Sequence, residues 1–185
     1  MDQKKHAQQP DLSETLLPPD PELPDAIDLE LDERWTFVFK KANDTWIWLA
    51  LARLTRQVIG GAVGPRTTET ARRLWDSIPN QYRGGRWYTD FLQQYVSVVP
   101  FGQHVAVGKE SGLTAHIERF NNTLRQRLAR LVRKTLSFSK SLLMLEASLL
   151  LFLWRYNLDQ VRLWPERCKR FVKGFRPSQR PTRPS

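Results

Sequence analysis

Between Asp28 and Val63 the sequence is an almost unbroken succession of short β-type runs, and this feature limits the possible folds more than any other. The first run alternates between an apolar face, with Leu29, Leu31, Trp35, Phe37 and Phe39, and a face that carries Asp32, Thr36 and Val38. Two further runs, 45–53 and 57–63, follow after short connections, and Gly64 and Pro65 close the segment. The pattern predicts an antiparallel meander of three strands.

Helical and strand patterns alternate in the rest of the chain. They predict a helix over 67–78 ended by Pro79, a strand over 86–89, a helix over 91–99 and a strand over 103–107. A long helix over 114–134 follows from the spacing of Ile117, Phe120, Leu124, Leu128 and Leu131, and a final apolar helix is expected over 141–157. We therefore expect an α/β fold with a mixed five-stranded sheet flanked by helices.

The two ends of the chain differ in composition from this central part. Residues 1–27 are acidic and proline-rich and resemble a linker or tail, a single folded domain is expected over 28–160, and residues 161–185 form a basic, Arg/Pro-rich segment that we expect to be disordered. The only cysteine, Cys168, excludes an intramolecular disulfide and favours a reducing cytosolic setting. The apolar run 142–154 contains Glu146 and is shorter than the roughly 20 residues of a membrane span, so a buried helix is expected and no membrane partner.

Charge is distributed very unevenly. Residues 1–33 hold two basic and ten acidic side chains, whereas residues 34–185 hold 27 basic and nine acidic ones. A cationic domain of this kind attracts polyanions, of which nucleic acid is the commonest, and the plain alternative is a solvated basic surface.

Three acids stand out within this basic domain: Asp32 in the first strand, Asp90 directly after the fourth, and Glu118 near the start of the long helix. Carboxylates are the ligands that Mg²⁺ prefers, and two-metal cleavage of phosphodiesters needs several of them together. Each acid also has a structural explanation: Asp32 as the entry to its strand, Asp90 as the N-cap of the helix that follows, and Glu118 as a favourable charge in the first helical turn.

The residues around Glu118 favour the functional explanation. Asn122 and Arg125 follow Glu118 at i+4 and i+7, so the three share one stripe of the helix, where a metal ligand and a phosphate contact can be neighbours. His116 can contact DNA or water at a metal site, but a structural role near the helix start is the stronger expectation, and His104 is a further reactive candidate.

Several strings, namely ELDE, TRQVIGGAVG, ARRLWDSIP, YTDF, VGKESG and HIERFNNTLRQRLARLVRKTLSFSK, resemble the transposases of the insertion sequence one family over roughly residues 10–157. The resemblance implies a ribonuclease-H-like fold and a DDE catalytic triad of Asp32, Asp90 and Glu118 that binds Mg²⁺ or Mn²⁺. Residues 28–160 would then be the catalytic domain. It also implies that a water molecule cleaves the transposon end, after which the freed 3′-hydroxyl attacks target DNA.

The resemblance further implies partners and a location. These are double-stranded DNA from transposon ends and target, a multimer on DNA, an upstream zinc-finger and helix-turn-helix module that binds the ends, and a cytoplasmic, nucleoid-associated setting in a bacterium or archaeon. Such a module is not visible in the sequence, and the basic tail after Trp164 departs from the family pattern.

Backbone contacts to DNA are expected from polar and basic residues of the second half of the chain: Lys109, Asn122, Arg125, Arg130, Arg133 and Lys134. The tryptophans at 46, 48, 75 and 87 are expected in the core rather than as stacking platforms for bases. Two alternatives remain open at this point, a catalytically silent DNA-binding fragment that modulates a complete transposase and a general nuclease of the same fold.

Overall fold

A five-stranded mixed sheet forms the centre of the fold. The computed structural model describes residues 11–23, 25–39, 43–128, 131 and 139–174, with only the backbone described at 109 and 170–174. The strands are β1 (Leu29–Phe37), β2 (Asp44–Ala52), β3 (Val58–Gly64), β4 (Trp87–Thr89) and β5 (His104–Ala106). The helices are α1 (Thr68–Ser77), α2 (Gln93–Val96), α3 (Ala115–Arg127) and α4 (Leu142–Gly174).

The strand order in the sheet is β3-β2-β1-β4-β5. β1, β2 and β3 form the expected antiparallel meander, while β4 pairs parallel to β1 and β5 parallel to β4. The chain reaches β4 only after crossing the sheet through α1, as a parallel pairing requires. The expected α/β architecture and element order are confirmed.

Helices cover both faces of the sheet. On one face α1 contributes Ala71, Leu74 and Ile78 to a core that also holds Trp48 and Trp87. On the other face α3 and α4 pack against the opposite side of β2, in a second core built from Ile47, Leu49, Ile117, Phe120, Leu124, Leu145, Leu149 and Leu153. The sequence of β2 is almost continuously apolar because both faces of this strand are buried.

Three helices differ from the sequence-based expectation. α2 covers four residues instead of 91–99: an Asp90 side-chain turn precedes it, and after Val96 the chain continues in turns in which the Val98 and Val99 amides donate to the Tyr95 carbonyl. α3 ends at Arg127, where Leu128 adopts extended backbone, and of the rest of the predicted helix only residue 131 is also described. α4 continues past 157 and through Pro165 to Gly174.

Described structure extends beyond residues 28–160 at both ends. Residues 161–174, which were expected to be disordered, are helical, and a hydrogen bond from Arg167 to the Thr55 carbonyl holds this part of α4 on the domain. Within the predicted linker, the Tyr82 hydroxyl donates to the Leu17 carbonyl at 2.8 Å, and Thr15 is buried. Residues 175–185 lie outside the described part of the chain.

Candidate active site

Parallel pairing of β1 and β4 brings two of the three acids together. Leu29 pairs with Trp87 and Glu30 with Tyr88, so the same register, continued two residues further, reaches Asp32 and Asp90. Asp32 Oδ1 accepts a hydrogen bond from the Glu33 amide at 2.9 Å, and Asp90 Oδ1 accepts one from the Leu92 amide at 3.0 Å. Two acids 58 positions apart in sequence therefore meet at one point of the sheet.

Helix α3 brings Glu118 to the same cavity. The cavity has a volume of about 400 Å³, and its polar lining includes Asp32, Glu33, Asp90, Glu118, Asn121 and Asn122. Glu118 is exposed, and its Oε1 accepts a hydrogen bond from the Thr114 hydroxyl, one turn earlier, at 3.0 Å. The three predicted acids thus share one cavity, with Glu118 on its open side.

The tightest acidic cluster includes a residue that the sequence analysis did not select. Asp32, Glu33 and Asp90 each offer a carboxylate oxygen, and these atoms lie within 4.8 Å of one another. Glu33 also accepts hydrogen bonds from Arg66 and from the Tyr95 hydroxyl, the latter at 3.1 Å. Its partners come from loops and helices distant in sequence, and the ELDE string was the only available signal.

Asn121 links α3 to the acids. Its Nδ2 donates to Asp32 Oδ2 at 2.7 Å, and its buried Oδ1 has no hydrogen-bond partner among the described residues. An unpaired buried amide oxygen beside three or four carboxylates makes an oxygen-only donor set, which is the set that Mg²⁺ and Mn²⁺ prefer. The residues present therefore fit a divalent cation.

Burial and mutual repulsion disfavour ionised acids in this cavity. Burial, with the Asp90 and Glu118 charges as smaller contributions, raises the pKa of Asp32 to about 6 against the opposing Asn121 hydrogen bond. Burial likewise raises the pKa of Glu33 to about 7, with Asp90 adding to the shift and Arg66 opposing it. Protons or a bound cation relieve this repulsion.

A family model described as IS1 transposase matches residues 26–156. The chain belongs to the IS1 transposase family. It is 41% identical over 116 residues to the insertion element iso-IS1n protein InsB of Shigella dysenteriae, covering 63% of this chain and 86% of that protein. It is also 41% identical over 112 residues to insertion element IS1 4 protein InsB of Escherichia coli K12, covering 60% of this chain and 65% of the relative.

The structural explanations for the acids hold for parts of this IS1-family site. Asp90 Oδ1 does close a turn ahead of α2, but this uses only one of its two carboxylate oxygens. His116 has the structural contact that was expected: its Nδ1 bonds to buried Glu30, which also accepts from the His116 and Ile117 amides at 2.9 Å. Glu30 and Asp32 are two residues apart on β1, so their side chains lie on the same face of the strand. Glu30 anchors the start of α3, and Asp32 lines the acidic cavity.

The residues expected to contact DNA lie in different places. Asn122 lines the acidic cavity and Arg125 is exposed in the last turn of α3. Arg130, Arg133 and Lys134 lie outside the described residues, and at Lys109 only the backbone is described. These assignments stay predictions.

The tryptophans are core residues, as expected. Trp48 and Trp87 are fully buried, and Trp75 packs on Trp87 with 4.5 Å between ring centroids. Trp46, partly buried, also lines the acidic cavity, where the Arg66 guanidinium lies over its ring. Over the described ranges, no helix combines the length and the apolar character needed to cross a membrane.

Proposed function

We propose that this chain carries the catalytic domain of a DDE transposase with a ribonuclease-H-like fold, which cleaves DNA at transposon ends and joins them to target DNA. The observation that carries the proposal is the convergence of Asp32, Asp90 and Glu118 on one cavity of a chain from the IS1 transposase family. Three acids from two strands and a helix, separated by 58 and 28 positions, have no common structural task that explains their meeting.

Asp32, Asp90 and Glu118 would hold the divalent metal, Mg²⁺ or Mn²⁺, with Glu33 beside them. When bound, the metal supplies charge neutralisation and Lewis-acid activation at a phosphodiester. Asn121 holds the Asp32 carboxylate toward the cavity, and Thr114 does the same for Glu118. Arg66 balances the charge of Glu33, which limits repulsion within the cluster.

Two successive phosphoryl transfers account for the overall reaction. Water attacks the phosphodiester at the transposon end and the 3′-oxygen leaves as a hydroxyl, which then attacks a target phosphodiester and displaces its 3′-oxygen. We assign this chemistry to the domain formed by residues 28–160. We propose that more than one copy assembles on double-stranded DNA and that the protein acts in the cytoplasm, associated with the nucleoid. Recognition of the terminal repeats is assigned to an upstream zinc-finger and helix-turn-helix module.

The decisive experiment measures joining of a labelled transposon-end duplex to plasmid DNA in Mg²⁺ or Mn²⁺, with this chain alone and fused to an end-binding module. Asp90→Asn tests the site, and Asp76→Asn, an exposed aspartate on α1, is the matched control. The proposal is supported if Asp90→Asn abolishes joining and Asp76→Asn retains it. If every form binds DNA without joining it, and neither substitution changes binding, the chain is a silent DNA-binding fragment. Cleavage that shows no preference for transposon ends would instead identify a general nuclease.

A further inference from the structure

A second cavity, of about 310 Å³, lies on another side of α3 and has the opposite charge. Its lining includes Arg56 from the β2–β3 turn, Arg119 from α3 and Arg167 from α4, together with Thr123, Tyr156 and Gln160. The described lining contains no Asp or Glu. We refer to it as the arginine cavity.

Arg56 occupies this cavity at some conformational expense. Its φ of 65° lies in the left-handed region, where glycine or asparagine is usual and other side chains are disfavoured. Its Nη1 is buried and has no hydrogen-bond partner among the described residues. A buried guanidinium nitrogen ordinarily pairs with an acceptor, so the fold leaves the hydrogen-bonding capacity of Arg56 partly unused.

Arg167 is held in place by the fold. One of its terminal nitrogens donates to the Thr55 carbonyl and the other to Gln160 Oε1, the second at 2.8 Å. Arg119 is exposed at the opening. The cavity therefore combines the anchored guanidinium of Arg167, the half-buried guanidinium of Arg56 with one unpaired nitrogen, and the accessible guanidinium of Arg119.

The cations in this cavity repel one another. Burial lowers the pKa of Arg56 to about 10, Glu30 opposes the shift, and Arg167, Arg53 and Arg119 add to it. Arg56 still carries its charge at neutral pH, and Glu30 is already engaged by the start of α3. An anion with several oxygen acceptors would relieve the repulsion, and guanidinium groups suit phosphate geometry.

The position of the arginine cavity on α3 connects it with the acidic cavity. Thr114, Glu118, Asn121 and Asn122 line the acidic cavity, whereas His116, Arg119, Phe120 and Thr123 line the arginine cavity. A DNA strand that reached the acids could therefore place a neighbouring part of its backbone on the other side of the same helix, whose diameter is about 10 to 12 Å.

We propose that the arginine cavity binds a phosphodiester group of DNA and so anchors the DNA backbone beside the acidic cavity. The proposal rests on the proposed function, since it assumes that DNA is the substrate. It adds a site built from Arg56, Arg119 and Arg167, which is separate from the acids and needs no metal.

The test measures binding of a labelled duplex of arbitrary sequence by fluorescence anisotropy, in EDTA, across a range of salt concentrations. The variants are Arg56→Gly, which suits the backbone at this position, and Arg119→Gln at the exposed opening, with thermal melting as a check of folding. Arg72→Gln, which removes one exposed positive charge from α1 on the other face of the sheet, is the matched control.

We expect each cavity variant to weaken binding by roughly three- to tenfold and to reduce the salt slope by about one phosphate contact. The double variant should weaken binding by less than the product of the two single effects, because both arginines contact the same phosphate. Arg72→Gln should change the dissociation constant less than about twofold, as expected of a charge that acts only through the general field.

Equal weakening by all three substitutions, or cavity variants that bind like the wild type, would overturn this inference and leave the proposed function standing. A wild-type chain that binds no duplex would overturn this inference, whereas the proposed function is overturned only by the joining assay with the fused end-binding module. Normal binding by Asp90→Asn beside weakened binding by Arg119→Gln would show that DNA anchoring does not depend on the acids and would support this inference.

Discussion

The acidic and arginine cavities flank the same helix, α3, and their comparison shows that the packing of α3 on the sheet does not explain the charged residues on its other sides. The third face of α3 carries Ile117, Phe120 and Leu124 into the core, which is sufficient to hold the helix on the sheet. One of the two remaining sides borders the acidic cavity, where four carboxylates gather with Arg34 and Arg66 also in the lining, and the other borders the arginine cavity, whose described lining holds three arginines and no acid. Charges of like sign in a shared cavity destabilise the folded state.

Burial shifts the pKa values of the two cavities in opposite directions, and in each cavity the shift favours the neutral form of the side chain. The pKa of Asp32 is raised and that of Arg56 is lowered, in both cases chiefly by burial. A bound cation would restore balance in one cavity and a bound phosphate in the other. Ligands of opposite charge, as proposed for the two cavities, would account for this difference.

The largest effect should come from the acidic cavity. Asp90→Asn should lower strand transfer on the order of 10³-fold, the scale observed when a group that stabilises transition-state charge is removed. Its melting temperature should stay the same or rise, because the substitution removes a repelling charge beside Asp32 and Glu33. Strand-transfer rates and thermal melts on the same preparations check both expectations.

Loss of activity together with a lower melting temperature would weaken the comparison, since Asp90 would then be acting chiefly through the turn that it closes with Leu92. Asp76→Asn should change neither quantity appreciably. The assignment of the acidic cavity as a ligand site requires that Asp90→Asn lower activity without lowering the melting temperature.

A smaller effect is expected at the contact between α3 and the acids. Asn121→Ala removes the Asp32 partner at 2.7 Å and should lower activity and metal affinity roughly 10- to 100-fold, as is usual when a residue that orients a metal ligand is lost. Gln126→Ala, exposed on the same helix, is the control. The discriminating readout is the Mn²⁺ concentration for half-maximal activity, which should rise for Asn121→Ala alone.

Stability should depend on pH in a way that divalent metal alters. Burial raises the pKa of Asp32 to about 6 from an ordinary 3.8. Between these two pH values the folded state binds more protons than the unfolded state, so the free energy of unfolding should fall as pH rises from 3.8 to about 6. The loss is at most about 3 kcal/mol for this group. Glu33, with its pKa raised to about 7, extends the fall to higher pH.

Thermal melts between about pH 4 and 8, with and without Mg²⁺, test this expectation. Metal should raise the melting temperature more at the upper end of the range, where the acids are ionised, and Asp32→Asn should flatten the profile. A melting temperature that rose with pH in the absence of metal would contradict the assignment of crowded acids.

Local patterns in the sequence predicted most of the fold but only part of the site. Alternation identified β1 to β3, and three- and four-residue spacing identified α1, α3 and α4, because these signals depend on neighbours in sequence. The extension of α4 past Pro165 was not predictable in this way, since it depends on the contacts of Arg167 with Thr55 and Gln160. The shortening of α2 depends likewise on one side-chain turn at Asp90.

The same distinction applies to functional residues. Asp90 and Glu118 stand out because carboxylates are rare in the basic part of the chain, residues 34–185, whereas Asp32 lies in the acidic part and was selected through the family motif that all three acids match. Glu33 and Asn121 join them only through the packing of the sheet and α3. Arg56 is one of 29 lysines and arginines, and no sequence pattern distinguishes it from the others. Its left-handed backbone and buried nitrogen are visible only in the folded chain.

The smallest predicted effect concerns the backbone of the arginine cavity. Arg56→Gly and Arg56→Ala remove the same charge, but only alanine retains a Cβ at φ 65°. The glycine variant should be more stable than the alanine variant by about 1 kcal/mol, with its greater freedom in the unfolded state offsetting part of the relief. That corresponds to roughly 2 to 4 °C in melting temperature, which calorimetry resolves. Equal melting temperatures would mean that the turn relaxes without cost, and the strain at Arg56 would no longer support a site maintained for a ligand. A glycine variant more stable than the wild type, yet weaker in DNA binding, would show that Arg56 is retained against the preference of the fold.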